Sequence, residues 1–425
     1  MSAAAITNPY IAVSLQWIGG LGAAGFYLPF FRVRDWSWET YWLIGGVFSW
    51  IIAPVAVGVI LIPGIIRLFE HLSPDAIFWT YLFGVLWGCG SLTFGLTLRY
   101  LGIGLGMTVA LGYTAVFGTL IPPIINGSVG ELSSHVWGLL TLLGIVVSVA
   151  GIALTGVAGW SKERELPDET RKAVVREYRF LRGIVVATFS GIMSSFINFG
   201  LVGLDGFNAV HGQNVITTKA AHLLIGYGHG IASEGLPALI VVLAGGFTTN
   251  VIWCTILHIK NHSGGEYIGA VAELSILESG LEKSADQGDY RIAKGYPDIP
   301  LSRTADHDVR KSTVPLLKNY AFSALAGLIW YVQFFCYTAG QSFMPRALAF
   351  SGWTLHMASV IMFATFLGVV RHEWRGASKR TQATIASGVG LLIVSTLIIG
   401  GGSFLKSNRT HCARGIGTIL CAARR

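Results

Sequence analysis

Long stretches without charged residues constrain this chain more than any other feature of its sequence. Residues Tyr41–Ile66 contain no Lys, Arg, Asp or Glu, and Leu101–Ser134 contain no Lys or Arg. A helix needs about 20 apolar residues to cross a bilayer core of about 30 Å. Only 12% of the 425 residues are charged, against roughly 25% in soluble domains. The sequence therefore predicts a polytopic membrane protein and excludes a soluble enzyme and a nucleic-acid-binding protein.

Hydropathy in windows of about 19 residues predicts an all-α fold of about ten transmembrane helices. Mean hydropathy over the whole chain is +0.60, as expected when most residues lie in such helices. The approximate bounds are Ile11–Phe30, Tyr41–Leu61, Ile77–Leu98, Leu101–Ile121, Val136–Val157, Gly183–Val202, Leu236–His258, Tyr320–Gly340, Ala349–Val370 and Ala383–Gly401.

The distribution of charge divides the predicted helices into two groups of five. An odd number of helices in each half makes the halves enter the membrane in opposite orientations, as in many secondary transporters. A receptor or an integral-membrane enzyme could share the helix count. We predict a first five-helix repeat at 1–157, a basic cytoplasmic connection at 158–182, a second repeat at 183–401 interrupted by a polar loop at 259–318, and a C-terminal tail at 402–425.

Lys and Arg are unequally divided between the two sides of the predicted helices. The loops that follow odd-numbered helices hold 22 of them, and the other side, with both termini, holds 8. By the positive-inside rule the first side is cytoplasmic and the termini are external, in a multi-pass protein of the cytoplasmic (inner) membrane. The basic C-terminal tail opposes this orientation.

The predicted spans lack the residues of hydrolytic, metal and nucleotide chemistry. All 22 acidic residues lie in loops or at span ends, and HExxH and P-loop motifs are absent. The five cysteines show no CxxC spacing. We therefore expect no catalytic residues, no metal site and no cofactor, and we do not expect an enzyme.

Uncharged polar residues interleaved with aromatic residues remain inside the spans. Trp330, Gln333 and Tyr337 are spaced i, i+3 and i+7, which places two aromatic rings and an amide on one helix face. Sugars need this combination, because their apolar ring faces stack on aromatic rings while their hydroxyls pair with polar groups. Each polar residue could instead join helices together. The other candidate substrate-binding residues are Trp87, Ser91, Asn198, Asn250 and Trp353.

His356 is the one imidazole well inside a predicted span. Intramembrane ionisable groups are costly and are functional hypotheses by default, and histidine can exchange protons near physiological pH. We predict that His356 couples transport to protons; a structural, hydrogen-bonded histidine is the alternative. Glu39, at the entrance to the second span, is the reserve candidate for this role.

Several phrases rich in Trp and Tyr occur in both halves of the chain. They are FYLPFFRVRDWSWETYW from Phe26, LFGVLWGCG from Leu82, FGLTLRYLGIGLGMTVALGY from Phe94, GTLIPPIING from Gly118, WYVQFFCYTAG from Trp330, SGWTLHMAS from Ser351 and HEWRGASKR from His372. In these phrases the chain resembles the L-rhamnose–proton symporter family, within the drug/metabolite transporter superfamily. The resemblance implies two inverted five-helix repeats and uptake of a 6-deoxyhexose with a proton. Trp87, Arg99, Trp330, Gln333 and His356 lie in the matching phrases.

The resemblance implies a small sugar, protons and the lipid bilayer as partners, without nucleic acid, and leaves the oligomeric state open. Three features depart from the family: the loop 259–318 is longer, the tail after Phe404 does not match, and Ser91 stands where the family carries an amide. Competing interpretations are an exporter or permease of another small metabolite in the same superfamily, and a membrane sensor whose loop 259–318 recruits a partner.

Overall fold

A computed structural model describes residues 8–101, 103–125, 127–165, 180–202, 209–210, 213–214, 216, 219, 234–269, 314–344, 348, 351–370 and 377–413. Ten long helices make up most of this part of the chain, and we number them α1 to α10. They are α1 Pro9–Gly25, α2 Trp38–Leu61, α3 Pro74–Leu101, α4 Ile103–Ile125, α5 Val136–Glu165, α6 Phe180–Val202, α7 Leu236–Asn261, α8 Leu316–Ser342, α9 Ser351–Val370 and α10 Lys379–Ala413.

Shorter elements connect these helices within the described residues. Two short helices, Ile65–Glu70 and Val129–Ser134, follow α2 and α4 respectively. Pro29–Arg32 and Ser263–Ile268 form 3₁₀ turns after α1 and α7. Between α6 and α7 a two-residue strand β1, Ala209–Val210, pairs antiparallel with β2, Gln213–Asn214.

The helices confirm the predicted all-α polytopic membrane fold. Of the helices in the described residues, nine are long and apolar enough to cross a bilayer. The tenth, α4, has a shorter apolar helical part at Val109–Ile125. About ten transmembrane helices is therefore consistent with the structure.

Several helices extend past the bounds that hydropathy predicts. Helix α5 continues to Glu165, inside the predicted basic connection 158–182, and α10 continues to Ala413, inside the predicted tail. The first part of the predicted polar loop 259–318 is the end of α7 and the 3₁₀ turn, and its last residues belong to α8. The reason is that hydropathy finds only the apolar part of a helix, whereas its polar ends project into the headgroup region.

Helix α2 changes its winding near the middle. Trp38–Gly46 and Ala53–Leu61 are α-helical, and Val47–Ile52 between them forms a π turn. Pro54 explains the wider turn, because it has no N–H to donate to the carbonyl of Trp50 four residues earlier. The turn carries Trp50 into the protein interior, where its side chain is 3% exposed.

The packing of the helices shows a regular pattern. Helix α3 packs against α6 and α7, as α8 packs against α1 and α2. Helix α4 packs against α6 and α5, as α9 packs against α1 and α10, while α5 packs against α10 and α2 against α7. This set of main contacts is unchanged when each of the first five helices is exchanged with the helix five places later, whereas smaller contacts, such as that of α1 with α10, are not matched to the same extent.

Two of these equivalent contacts are backbone crossings at glycine. A Cβ atom on Gly327 of α8 would lie 3.1 Å from the Cα of Gly45 in α2, and would collide with its carbonyl. A Cβ atom on Gly245 of α7 would lie 3.0 Å from the Cα of Gly84 in α3. Small residues are required where membrane helices approach this closely.

Candidate functional site

Aromatic rings from three helices, α2, α3 and α8, meet near the middle of the bundle. The Trp50 ring makes T-shaped contacts with the rings of Trp330, at 5.5 Å between centroids, and Trp87, at 6.0 Å. Trp87 and Trp330 are themselves 5.7 Å apart. We call Trp42, Trp50, Trp87, Trp330 and Phe334 the aromatic cluster. It supplies several flat apolar surfaces of the kind on which a sugar ring can stack.

A small cavity adjoins the aromatic cluster. Its volume is about 10 Å³, and Trp42, Trp50 and Trp330 form part of its lining, with Phe26, Phe30, Gly45, Gly46, Ser49, Ala326 and Gly327. A volume of about 10–15 Å³ holds one water molecule. A hexose therefore fits this cavity only if the surrounding helices separate.

Polar side chains next to the aromatic cluster join helices α4, α6, α8 and α9. The Tyr337 hydroxyl donates a hydrogen bond to Asn198 Oδ1, and Gln341 Nε2 donates to the Tyr337 hydroxyl at 2.6 Å. Asn198 Nδ2 donates to the carbonyl of Gly118 at 2.7 Å. Trp353 Nε1 donates to the carbonyl of Thr114 at 2.9 Å. The structure thus brings together the predicted residues Asn198, Tyr337 and Trp353.

His356 lies beside these residues and is completely buried. Its ring is 5.3 Å from Tyr337, 6.1 Å from Trp353 and 6.2 Å from Phe334 between centroids. The Gln16 backbone carbonyl is close enough to interact with the imidazole. Neither ring nitrogen, however, makes a hydrogen bond of good geometry to the described residues.

Further buried polar atoms near His356 lack hydrogen-bond partners among the described residues. They are Oε1 of Gln16 and Oε1 of Gln341, although Gln16 Nε2 donates to the carbonyl of Tyr337 at 3.2 Å. The indole nitrogen of Trp50 is also unpartnered. An unpaired buried polar group costs about 1–3 kcal/mol, so a group of them indicates a place for a ligand or for water. We call Gln16, Asn198, Tyr337, Gln341 and His356 the polar cluster.

The remaining predicted substrate-binding residues lie in different surroundings. Asn250 accepts a hydrogen bond from Trp42 Nε1 at 3.2 Å and donates to the Gly246 carbonyl of its own helix at 2.8 Å. Ser91 donates to the Gly88 carbonyl at 2.8 Å, also within its own helix. Gln333 lies where α8 meets α1. The side chain of Arg99 lies outside the described residues.

Glu39 lies in the first turn of α2, close to the C-terminal end of α7. It is 3% exposed, and its Oε1 accepts hydrogen bonds from Asn261 Nδ2 at 2.8 Å and from Ser263 Oγ at 2.7 Å. The two proton-coupling candidates therefore occupy separate environments: His356 lies in the polar cluster, and Glu39 lies among residues at the ends of α2 and α7.

Comparison with known proteins identifies the family. The family described as L-rhamnose-proton symport protein (RhaT) matches residues 3–276 and 294–404. This chain belongs to that family. As an L-rhamnose-proton symport family member, it is one of a group of transporters rather than of enzymes. The match is interrupted inside the polar loop 259–318 and ends at residue 404.

Individual symport family members resemble the chain over nearly its whole length. Relatives from Cronobacter sakazakii and Escherichia coli O157:H7 are 32% identical over 394 residues, which cover 92% of this chain and 98% of each relative. A relative from Klebsiella pneumoniae is 32% identical over 397 residues, covering 93% of this chain and 99% of the relative. Each is described as an L-rhamnose-proton symporter.

Sequence reasoning missed five residues of the clusters in this symport family member: Gln16, Trp42, Trp50, Phe334 and Gln341. Gln16 and Gln341 are amides within or at the end of a span, which is the signal that drew attention to Gln333. Trp50 carries no polarity signal of its own. The sequence does show a glycine pair before it and a proline after it, at Gly45, Gly46 and Pro54, and these residues shape the turn that points it inward.

Two groups outside the membrane spans of this symport family member have shifted pKa values, and both lie near the polar ends of helices. Hydrogen bonds from the Ser378 side chain and backbone hold the pKa of Glu165 below its ordinary value of 4.5. Glu165 thereby ties the end of α5 to the start of α10. Burial raises the pKa of the Tyr267 phenol, which keeps that hydroxyl a hydrogen-bond donor.

Proposed function

We propose that this protein is a secondary active transporter that takes up L-rhamnose, or a closely related 6-deoxyhexose, with a proton across the cytoplasmic membrane. The names and nearly full-length similarity of the relatives support this function. The nine long apolar helices in the described part of the chain agree with it. The alternatives, an exporter of another metabolite or a membrane sensor, gain no support from the relatives.

The observation that carries the proposal is the polar cluster beside the aromatic cluster. Sugar hydroxyls can pair with Oε1 of Gln16, Oε1 of Gln341 and the nitrogens of His356, which lack partners among the described residues. The apolar face and methyl group of a 6-deoxyhexose can pack against Trp50, Trp87 and Trp330. Phe334 contacts both groups, since its ring is 4.9 Å from Trp330 and 6.2 Å from His356.

We infer that the two halves, 1–157 and 183–401, are inverted repeats. Three features support the inference: the packing pattern, the two glycine crossings, and short similar phrases at the crossings. Residues 82–87 read LFGVLW and residues 325–330 read LAGLIW, while a glycine pair stands at 45–46 and again at 245–246. Trp87 and Trp330 are then equivalent residues, each three positions after a crossing glycine.

The roles of individual residues follow as proposals. We assign substrate binding to Trp87, Asn198, Trp330, Tyr337 and Trp353, and add Gln16, Trp50 and Gln341. Asn250, Ser91 and Gln333 stay candidates that would act only after the helices move. His356 is the proposed proton-coupling group in the polar cluster, and Glu39 is the alternative.

Uptake by proteoliposomes tests the proposal. With an inward proton gradient, labelled L-rhamnose should accumulate above its external concentration, and a protonophore should reduce it to equilibration. An excess of unlabelled L-mannose, which differs by a hydroxyl on carbon 6, should compete less well than unlabelled L-rhamnose. Absence of both accumulation and exchange of L-rhamnose, in protein that is folded and inserted, would contradict the assigned substrate.

A further inference from the structure

Two carboxylates connect the ends of α2 and α7 in a reciprocal way. Glu39, in α2, accepts hydrogen bonds from Asn261, at the end of α7, and from Ser263 in the following 3₁₀ turn. Glu266, in that same turn, accepts hydrogen bonds from residues at the start of α2. The start of α2 thus supplies the acceptor Glu39 and the donors to Glu266. The end of α7, with its 3₁₀ turn, supplies the acceptor Glu266 and the donors to Glu39.

The Glu266 half of this arrangement involves three donors. Oε2 of Glu266 accepts from the Ser37 backbone N–H at 2.7 Å, from Ser37 Oγ at 2.9 Å and from Thr40 Oγ1 at 2.6 Å. Hydrogen bonds to an ionised group are roughly twice as strong as those between neutral groups. We call Ser37, Glu39, Thr40, Asn261, Ser263 and Glu266 the carboxylate clamp.

A directed chain of hydrogen bonds leads to the clamp. Ser263 Oγ has one hydrogen and donates it to Glu39, so His258 Nδ1, 2.8 Å away, must donate to Ser263 Oγ. His258 Nε2 shares a second hydrogen bond with the Tyr267 hydroxyl, also at 2.8 Å. The donors from His258 to Glu39 are therefore ordered along this chain.

Few charges oppose or support the two carboxylates. The titratable groups that face the clamp are Cys254 and His258 from α7, Tyr267 from the 3₁₀ turn and Tyr320 from α8. Arg34, Lys260, His262 and Lys318 are exposed at the same end of the molecule. Within the part of the chain that the structure describes, no Lys or Arg pairs with Glu39 or Glu266. Donors of hydrogen bonds, rather than cations, therefore stabilise the ionised carboxylates.

The clamp joins the two helices that must separate if this end is to open. Helices α2 and α7 occupy equivalent places in the two halves, and α2 carries Trp42 and Trp50 of the aromatic cluster. The clamp lies at the end of α2 where Phe30 and Trp42 line the small cavity. Movement of α2 away from α7 at this end breaks the bonds of both carboxylates, and each of these bonds is strongest when its carboxylate is ionised.

We propose that the carboxylate clamp closes this end of the transport path, and that protonation of Glu39 and Glu266 releases it. The proposal rests on the proposed sugar transport, and adds Glu266 as a positioning residue that no sequence pattern identified. A neutral carboxylic acid lacks the charge that strengthens these hydrogen bonds, so protonation weakens the connection between α2 and α7.

Hydrogen–deuterium exchange of the full-length protein in nanodiscs tests the clamp without any sugar. The double variant Glu39→Gln, Glu266→Gln imitates the protonated state at neutral pH. Its amides at 36–41 and 258–268 should exchange about tenfold faster than in the wild type, because charge-assisted bonds are lost. Glu165→Gln is the matched control, since Glu165 also accepts from Ser and Thr at the same end of the bundle but joins α5 to α10. It should leave both segments unchanged.

Sugar exchange provides a second readout. In wild-type proteoliposomes with equal L-rhamnose and equal pH on both sides, the exchange rate should rise as pH is lowered from about 6 to about 4, the range in which carboxylates take up protons. The double variant should exchange at a high rate that does not depend on pH, whereas Glu165→Gln should keep the wild-type dependence. If the wild type exchanges no L-rhamnose, the proposed substrate is wrong, and the deuterium measurement still decides the clamp.

Thr40→Val covers the case in which the double variant does not fold. It keeps the shape of the side chain and removes one donor to Glu266, so the ionised form is less stabilised and opening should move to higher pH. The inference is overturned if deuterium exchange at 36–41 and 258–268 is the same in wild type, Thr40→Val and the double variant. It is equally overturned if the double variant keeps the wild-type dependence of sugar exchange on pH.

Discussion

At the scale of single residues, His356 is a completely buried imidazole whose ring nitrogens make no hydrogen bond of good geometry to the described residues. We expect His356→Gln to abolish accumulation driven by a pH gradient, because glutamine is similar in size and polarity but does not titrate near pH 7. Exchange of L-rhamnose at equal concentrations should continue. Variant protein that still concentrates the sugar would exclude His356 as the coupling residue and favour Glu39.

Gln16 allows a sharper test of the polar cluster. We expect Gln16→Leu to weaken L-rhamnose affinity by roughly 5- to 150-fold, equivalent to about 1–3 kcal/mol for a lost hydroxyl partner. Thermal unfolding should change little, because the substitution also removes an unpaired buried oxygen. Ser148→Ala is the matched control, since Ser148 Oγ is likewise unpaired among the described residues but lies in α5. Equal affinity in both variants would assign Gln16 to helix packing.

The helical spacing of the predicted site residues agrees in part with their positions in the structure. The spacing of Trp330 and Tyr337 places both on the face of α8 that points into the bundle, and contacts to Trp50 and Asn198 follow from it. Gln333 is only three residues from Trp330, yet its backbone N–H and carbonyl pack against Gly22 and Gly19 of α1. Periodicity within one helix cannot decide such cases, because it does not say which neighbouring helix packs on which side.

At the scale of elements, the backbone crossings should tolerate no added atom. We expect Gly327→Ala to destabilise the protein by about 1–3 kcal/mol, as overpacking does, since the new methyl group would collide with the Gly45 carbonyl. Gly390→Ala in α10 is the control, because a Cβ there meets nothing within 4 Å. Thermal unfolding in detergent measures both variants. A Gly327→Ala protein as stable as Gly390→Ala would contradict the close crossing.

Helix ends provide a prediction about pH. The pKa of Glu165 is lowered in the folded protein, so its stabilising effect is present at neutral pH and is lost as pH falls below the ordinary value of 4.5. We expect Glu165→Gln to loosen the start of α10 at pH 7, measured by deuterium exchange at 377–384. The difference from wild type should disappear in acid, where Glu165 is protonated. A difference that persists there would indicate a packing defect instead.

The bounds of these elements could be predicted only in part. Apolar length locates each span, but the added turns of α5 and α10 depend on polar contacts such as that between Glu165 and Ser378. The π turn of α2 depends on Pro54 together with space for Trp50, which Gly46 provides. A hydropathy window averages over many residues, so it detects neither effect, since each depends on contacts between a few individual atoms.

At the scale of the whole molecule, we predict the orientation in the membrane from the distribution of Lys and Arg. In a cysteine-free background, Lys379→Cys should react with an impermeant thiol reagent only from the cytoplasmic side, and Gly130→Cys only from outside. Both positions are exposed. Lys379 begins α10, next to the end of α5, and Gly130 lies before the start of α5, at the opposite end of the bundle. Reversed labelling would show that the basic tail, rather than the loops, determines the orientation.

The cavity beside the aromatic cluster has a consequence for the energetics of the cell. Protons travel along files of hydrogen-bonded water, and a space with room for one water molecule beside Trp50 and Trp330 holds no such file. This cavity therefore offers no path for protons in the closed arrangement of the described residues. If the chain carries sugar with protons as proposed, protons do not cross at this point without the sugar, and the proton gradient of the cell is preserved.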